Sequence, residues 1–153
     1  HPVWNTATEF YFECLYANGL KLIISSEEEI GGVKFEGAEG HVWATRGSMG
    51  ASSEEIYRST IGPDEVHLYK SDDHYRNFID CVLSRKVTAA PAEVAHRSIT
   101  IGHLGNIAMT LGQDLDWDPE KESFVNNPRA NAMLARKMRE PWGTVYRDLV
   151  AQH

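Results

Sequence analysis

The chain has 153 residues, enough for one hydrophobic core and too few for two full domains. Its 15 Lys and Arg stand against 22 Asp and Glu, and the resulting net charge of −7 argues against nucleic acid or an anionic membrane as the main partner. Hydrophobic residues make up 42% of the sequence, and no apolar run approaches the roughly 20 residues of a membrane span, so the sequence excludes a disordered or a transmembrane chain.

The first part of the chain alternates apolar and polar residues, which predicts strands. Residues 8–25 indicate a hairpin that turns at Asn18-Gly19, and residues 33–45 indicate a second hairpin that turns at residues 37–40. The Gly- and Ser-rich segment 47–62 predicts a loop with one short helical turn. Val66–Tyr69 predicts a further short strand.

The hydrophobic period changes to that of a helix after residue 70. We expect the first helix to begin with Ser71 or Asp72 as its cap. Its apolar residues recur at helical spacing and predict one stripe that faces a core. The stripe consists of Tyr75, Phe78, Ile79, Val82 and Leu83.

Two further helices are predicted in the second half. One runs from Pro91 to Leu111 and ends at Gly112; because it is apolar on nearly all sides, we expect it to be covered on more than one side. A turn is expected at residues 116–119. The last helix is predicted to begin at Asn127-Pro128 and to end near Lys137, before a proline at position 141.

Strands followed by helices describe an α+β domain, with an open, mostly antiparallel sheet and helices packed on one face. The helices then leave the other face uncovered, and the alternation places on it Tyr11, Leu15, Ile23 and Trp43. Such an apolar patch predicts a homo-oligomer, in the simplest case a two-fold dimer, through the open sheet face. A solvated face is the alternative, because it also carries Glu9, Glu13 and Lys21.

Candidates for chemistry are few. Metal-binding spacings of His and Cys are absent, and His96 and His103 are two helical turns or about 10.5 Å apart, too far to share one ion. With Asn106 they form a polar side of the second helix, and we name these three residues as candidate substrate-side or interdomain residues. The structural alternative makes His96 a surface residue bonded to a loop, and His103 a buried imidazole at an interdomain contact.

The two glycines that flank His103 predict a close backbone approach of another element to this helix. The cysteines, Cys14 and Cys81, both lie in apolar patterns, so a disulfide is not predicted. No catalytic, cofactor-binding or metal-binding residue is predicted within the chain.

Several segments resemble one known family in order and spacing. They read D-H-Y-R-N-F-I-D-C-V at 73–82, P-A-E-V-A-H-R-S at 91–98, H-L-G-N-I-A at 103–108, L-D-W-D-P at 115–119, F-V at 124–125 and M-R-E-P-W at 138–142. Two earlier segments, Y-A-N-G at 16–19 and F-E-G-A-E-G at 35–40, agree with them. Over residues 8–142 the chain resembles the C-terminal α/β domain of the bacterial Gfo/Idh/MocA (glucose–fructose oxidoreductase, inositol dehydrogenase, rhizopine catabolism) family.

This resemblance implies an NAD(P)-dependent oxidoreductase acting on a sugar, cyclitol or related polyol. Residues 1–153 are then its single substrate-side and oligomerisation domain, and its N-terminal Rossmann domain is missing. The family's E-K-P lysine and D-x-G-x-H histidine do not occur here, so we expect the catalytic residues on the missing part. The isolated chain is expected to be inactive and to bind neither NAD nor NADP.

Two alternatives share the fold. One is a non-catalytic assembly or binding module, and the other is a domain of an NAD-dependent enzyme that cleaves glycosides. The expected location is the cytoplasm, with an exported form if the missing N-terminus carries a signal.

Overall fold

The structure is a computed structural model that describes residues 7–27 and 31–151. Its elements in chain order are β1 (Tyr11–Leu15), β2 (Lys21–Ser25), β3 (Val33–Gly37), β4 (Gly40–Ala44), β5 (Met49–Ala51), α1 (Glu54–Tyr57), α2 (His74–Ser84), α3 (Ala92–Leu111), β6 (Trp117–Asp118), β7 (Ser123–Phe124), α4 (Pro128–Asn131) and α5 (Trp142–Val150). The predicted α+β class and antiparallel pairing are confirmed. The chain divides into two compact units, residues 1–96 and 97–153, which are described separately.

The expected continuous sheet is divided into three small ones. In the first unit β1 pairs with β2, and β3, β4 and β5 form a second sheet; in the second unit β6 pairs with β7. Each pair is antiparallel and joins segments that are close in sequence, so short turns are enough to form it. The helix-on-sheet packing is local too: α1 contacts β4 and β5, and α4 contacts β7.

The first predicted hairpin is confirmed. Gly19 adopts φ +87° in the turn, and the Asn18 side chain accepts a hydrogen bond from the Leu20 backbone N–H at 3.0 Å. The register pairs Phe12 with Ile24 on one side and residue 13 with residue 23 on the other. Phe12 and Ile24 are half-buried, as the alternation of the sequence predicts.

The second hairpin is confirmed as well, but the predicted exposure of Trp43 is wrong. The indole is half-buried and lies over Gly50 of β5, where an added Cβ would come within 2.8 Å of the ring. The large apolar residues of this sheet that are exposed lie on its opposite side, and they include Val33, Phe35 and Val42. The reason is β5, a strand that the Gly- and Ser-rich composition of segment 47–62 concealed.

Between the second sheet and α2, the predicted short helical turn is α1, but the predicted strand at residues 66–69 does not form. Val66 and Leu68 are 83% and 89% exposed, so within the described residues the apolar side of this segment is left uncovered. A strand needs a neighbour for its backbone groups, and apolar residues alone do not supply one.

The cap of α2 is Asp73, not Ser71 or Asp72, because the Asp73 side chain accepts from the Arg76 backbone N–H at 2.8 Å. The burial of α2 also differs from the prediction. Its covered side contains Asn77 and Cys81, whereas all five residues of the expected stripe are exposed. Asn77 joins α2 to its neighbours by donating to Tyr69 Oη at 2.8 Å and accepting from the Ala89 backbone N–H at 3.0 Å.

The second unit contains residues 97–111 of α3, a helix whose bounds confirm the prediction to within one residue. Gly112 ends it with φ +65°. Ile107, Phe124 and Ala130 form a buried cluster, and half-buried apolar residues pack against it: Leu104, Leu111, Leu115 and Trp117. The expected cover on more than one side is wrong within this unit, because the polar side of α3 is exposed.

The C-terminal part differs from the prediction in length and number of helices. Asn127 caps α4 as expected, accepting from the Ala130 backbone N–H at 3.0 Å, but α4 ends at Asn131 instead of continuing to Lys137. A separate helix, α5, begins directly after Pro141. Proline is tolerated at a helix start because the first N–H groups have no partner inside the helix.

Candidate functional site

The three candidate residues lie on the exposed side of α3. His96 and His103 are separated by two turns of the helix, and Asn106 lies on the next turn of the same side. The structure places them along one side and leaves all three accessible. His103 is exposed within the described residues. The alternative of an imidazole buried at an interdomain contact stays a prediction.

The two glycines beside His103 differ in their surroundings. Gly102 is exposed, and an added Cβ would meet nothing within 4 Å. Gly105 is buried. It lies on the covered side of α3 together with Leu104 and Ala108. The close backbone approach at Gly105 stays a prediction.

A polar network connects α3 to the turn between β6 and β7. Arg97 Nη1 donates to the Pro119 carbonyl at 2.8 Å and contacts Glu122 Oε1 at 3.1 Å. In the turn, Asp118 Oδ1 accepts from the backbone N–H groups of Glu120 and Lys121 at 3.0 Å each. These contacts hold the segment that follows β6 against the helix that carries the candidate residues.

Asp118 and Lys121 also form an ion pair, with Oδ2 and Nζ 2.9 Å apart. Hydrogen bonding from the Lys121 side chain, with help from two backbone N–H groups, holds the pKa of Asp118 below its ordinary value. The hydrogen bond to Asp118 in turn raises the pKa of Lys121. Both groups therefore stay ionised across the neutral range.

Asn131, the last residue of α4, bonds the backbone of β7, the strand that follows this turn. Its Oδ1 accepts from the Phe124 backbone N–H at 2.7 Å, and its Nδ2 donates to the Phe124 carbonyl at 2.9 Å. The carboxamide therefore takes both backbone groups of Phe124, as a neighbouring strand would. The Phe124 ring meets the Trp117 ring edge-on, with centroids 5.1 Å apart.

A second surface is the exposed side of the β1–β2 hairpin. Tyr11, Leu15 and Ile23 are 50%, 77% and 49% exposed there. Among them lies Glu13, whose two oxygens are both occupied: Tyr11 Oη donates to Oε1 at 2.6 Å, and Lys21 Nζ lies 2.9 Å from Oε2. We call these three polar residues the Tyr11–Glu13–Lys21 triad.

The pKa values of the triad follow from these contacts. The hydrogen bond from Tyr11, then that from Lys21, lowers the pKa of Glu13. The hydrogen bond to Glu13 raises the pKa of Tyr11 and is also the main reason that the pKa of Lys21 is raised. The sequence placed these residues on one side, but only the cross-strand register brings Lys21 to the Glu13 carboxylate.

A third feature, which the sequence did not indicate, is a shallow groove of about 720 Å³ between the β3–β4 turn and α1. Phe35, Val42 and Ile56 provide its apolar lining. Gly40 has φ +150°, and an added Cβ at this position would overlap Ser52 Oγ. The absence of a side chain therefore allows the segment that leads into α1 to approach the turn. The groove depends on the position of α1, for which the sequence contains no spacing signal.

The described residues do not fit a dinucleotide. A pyrophosphate needs a strand, a glycine-rich turn and a helix in a parallel βαβ unit, whereas every strand pair described here is antiparallel. Within residues 7–27 and 31–151, no three His, Cys, Asp or Glu side chains come together in a way that could hold a metal ion. No helix in this part of the chain has the length and apolar character to cross a bilayer.

Comparison with known proteins decides the family. Residues 6–144 match the family model described as the oxidoreductase family, C-terminal alpha/beta domain, of the Gfo/Idh/MocA proteins. The chain belongs to this family. No curated protein and no solved structure matches it. Most of α5 lies beyond the matched range.

Proposed function

We propose that the full-length protein is an NAD(P)-dependent oxidoreductase that acts on a sugar, cyclitol or related polyol. The match of residues 6–144 to the C-terminal domain of an oxidoreductase family carries this proposal. The cofactor and the catalytic residues belong, in this proposal, to an N-terminal Rossmann domain, since the antiparallel hairpins described here offer no dinucleotide cradle.

The role proposed for this domain is to form one wall of the substrate cleft. The exposed side of α3 supports this role, because two imidazoles and a carboxamide can both donate to and accept from the hydroxyl groups of a polyol. His96, His103 and Asn106 are the residues concerned. The buried cluster around Ile107, which lies one helical turn after His103, anchors α3, so these side chains project from a rigid element.

The second proposed role is self-association. Exposed apolar side chains in the number seen on β1–β2 form a patch that monomers rarely leave uncovered. The same patch on two copies favours a two-fold dimer, and a stable interface requires about 1,000 Å² or more of buried surface.

The test is hydride transfer by the full-length protein. We expect reduction of NAD⁺ or NADP⁺ when a sugar, a cyclitol or a linear polyol is supplied, followed by the absorbance of the reduced nicotinamide. His103→Ala and Asn106→Ala are expected to raise KM with no loss of folding stability, because both side chains are exposed. Val94→Ala, an exposed change elsewhere on the same helix, serves as the control and should leave KM unchanged.

Three results would contradict the proposal or a part of it. Absence of hydride transfer with every polyol would count against the activity. Cleavage of a glycoside without net reduction of the nicotinamide would point to a different reaction on the same fold. Equal KM values for the His103 variant and the Val94 control would remove α3 from the substrate cleft.

A further inference from the structure

The exposed side of α3 has no charged residue along most of its length. The charged residues of this helix, Glu93 and Arg97, both lie near its N-terminus, and residues 98–113 contain no Asp, Glu, Lys or Arg. The Arg97 side chain bonds the Pro119 carbonyl and Glu122 in the β6–β7 turn. An exposed helix side normally carries charged residues, because water solvates them best. A side that is exposed and uncharged over about four turns is better suited to an uncharged ligand.

Four exposed residues of the second unit lie together on this side. Ile99, Gly102, His103 and Asn106 follow one another at the spacings i, i+3, i+4 and i+7, so they share one side of the helix. We call these four residues the α3 patch. It extends about 10.5 Å along the helix axis, which leaves room for one sugar ring.

The polar groups of the α3 patch are available to a ligand. Within the part of the chain that the structure describes, the side chains of His103 and Asn106 make no hydrogen bond. The carboxamides of Asn77 and Asn131, in contrast, each both donate and accept within the fold. The Thr110 hydroxyl donates to the Asn106 carbonyl at 2.7 Å. The imidazole and the carboxamide of the patch therefore have donors and acceptors left for the hydroxyl groups of a ligand.

The other two residues give the α3 patch its shape. An added Cβ at Gly102 would meet nothing within 4 Å, so a ligand can approach the helix backbone there. Ile99 is 59% exposed and supplies apolar surface beside this opening. A closed sugar ring has C–H groups on its faces and hydroxyl groups around its edge. Such a ring can lie over Gly102 with a C–H face on Ile99 and its hydroxyl groups bonded to His103 and Asn106.

We propose that the α3 patch selects uncharged ring polyols over sugar acids, amino sugars and linear polyols. The inference rests on the proposed role of α3 as a wall of the substrate cleft. A carboxylate or an ammonium covered by the patch loses its hydration and gains no Asp, Glu, Lys or Arg partner from it, which is unfavourable. A linear polyol has no C–H face and loses more conformational freedom when it binds.

The experiment compares kcat/KM of the full-length protein for four classes of substrate, followed by reduction of NAD⁺ or NADP⁺. The classes are neutral rings (aldohexoses and cyclitols), hexuronates, hexosamines and linear alditols. We expect the best neutral ring to exceed the best member of each other class about tenfold or more, since every 1.4 kcal/mol of unpaid desolvation is a factor of ten.

Ile99→Lys tests the selection against charge. The new ammonium can pair with a carboxylate, so kcat/KM for hexuronates relative to neutral rings should rise about tenfold. Val94→Lys is the matched control, because Val94 is 58% exposed against 59% for Ile99 but lies on another side of α3. It should leave this ratio unchanged.

Gly102→Leu tests the position of the ring. The leucine side chain fills the opening over the backbone, so KM for neutral rings should rise about tenfold. Because the space around Gly102 is open, the melting temperature of the full-length protein should not fall. Val94→Leu, which also enlarges an exposed side chain of α3, should leave KM unchanged.

The outcomes separate this inference from the proposed activity. Hydride transfer that prefers a hexuronate, a hexosamine or an alditol would overturn the inference and leave the oxidoreductase standing, whereas no hydride transfer with any class would overturn both. An unchanged ratio in Ile99→Lys or an unchanged KM in Gly102→Leu would also overturn the inference. A lower melting temperature of Gly102→Leu would do so too, because it would show that another part of the protein covers this side of α3.

Discussion

Replacing Asn131 by alanine is expected to destabilise the second unit strongly. The change removes the acceptor of the Phe124 N–H and the donor to the Phe124 carbonyl, and Phe124 is only 3% exposed. A buried backbone group without a partner costs about 1–3 kcal/mol, so two groups cost about 2–6 kcal/mol. Alanine has a higher helix propensity than asparagine, so at this last residue of α4 it offsets up to about 0.7 kcal/mol of that loss.

The net loss of about 1–6 kcal/mol translates into a thermal midpoint lowered by roughly 2–24 °C, at about 2–4 °C per kcal/mol. Urea unfolding followed by tryptophan fluorescence, to which Trp117 contributes through its packing on Phe124, measures the effect. Asn106→Ala is the control, because it removes a carboxamide from an exposed position and should change stability by no more than about 0.5 kcal/mol.

Asn131→Asp separates the two hydrogen bonds. The carboxylate still accepts from the Phe124 N–H, but at neutral pH it faces the Phe124 carbonyl with a second acceptor. A protonated carboxyl can donate there, so the folded state favours protonation and the variant should regain stability as pH falls. If Asn131→Ala unfolds within about 0.5 kcal/mol of the wild type, the assignment of these two bonds as the support of β7 is refuted.

Two further predictions concern the second unit. Gly105→Leu should lower the stability by about 1–3 kcal/mol, because the larger side chain overpacks a buried position. Gly102→Leu lies in the same helix with open space around it and should raise the stability by about 0.5–1 kcal/mol. Equal melting temperatures of the two variants would show that the two sites do not differ. Lys121→Met should lower the stability of the fold at pH values between the titrations of Asp118 and Lys121. Asp118 has a lowered pKa in the folded state, so it stabilises the fold above its unfolded pKa; Lys121 has a raised pKa, so it stabilises the fold below its unfolded pKa. In urea unfolding, the difference from wild type should vanish as pH falls through the folded pKa of Asp118 and as it rises through that of Lys121, and a difference independent of pH would contradict the pairing.

The sequence by itself determined the elements whose signals are local. Asn18-Gly19 supplies the positive φ of a tight turn, the alternation around Phe12 separates the two sides of the first hairpin, and Gly112 ends α3. Asn127 and Pro128 likewise begin α4 where predicted. Each of these features depends on the residues within one turn or one strand, so the chain pattern contains the information.

The candidate site was predictable in part for the same reason. Helical spacing is enough to place His96, His103 and Asn106 on one side of α3. Spacing does not say which side of a helix is covered, and so the exposure of His103 and the difference between Gly102 and Gly105 could not be derived from it.

Tertiary structure alone decided which patterned faces find a partner. The stripe on α2 has the spacing of a core face, yet Phe78 and Val82 are exposed, while Trp43 is covered by a strand that composition concealed. Val66–Tyr69 has strand-forming residues, but it pairs with no strand in the described part of the chain. Hydrophobic burial is non-directional, and a backbone hydrogen bond needs a specific partner, so these outcomes depend on residues distant in sequence that no local pattern records.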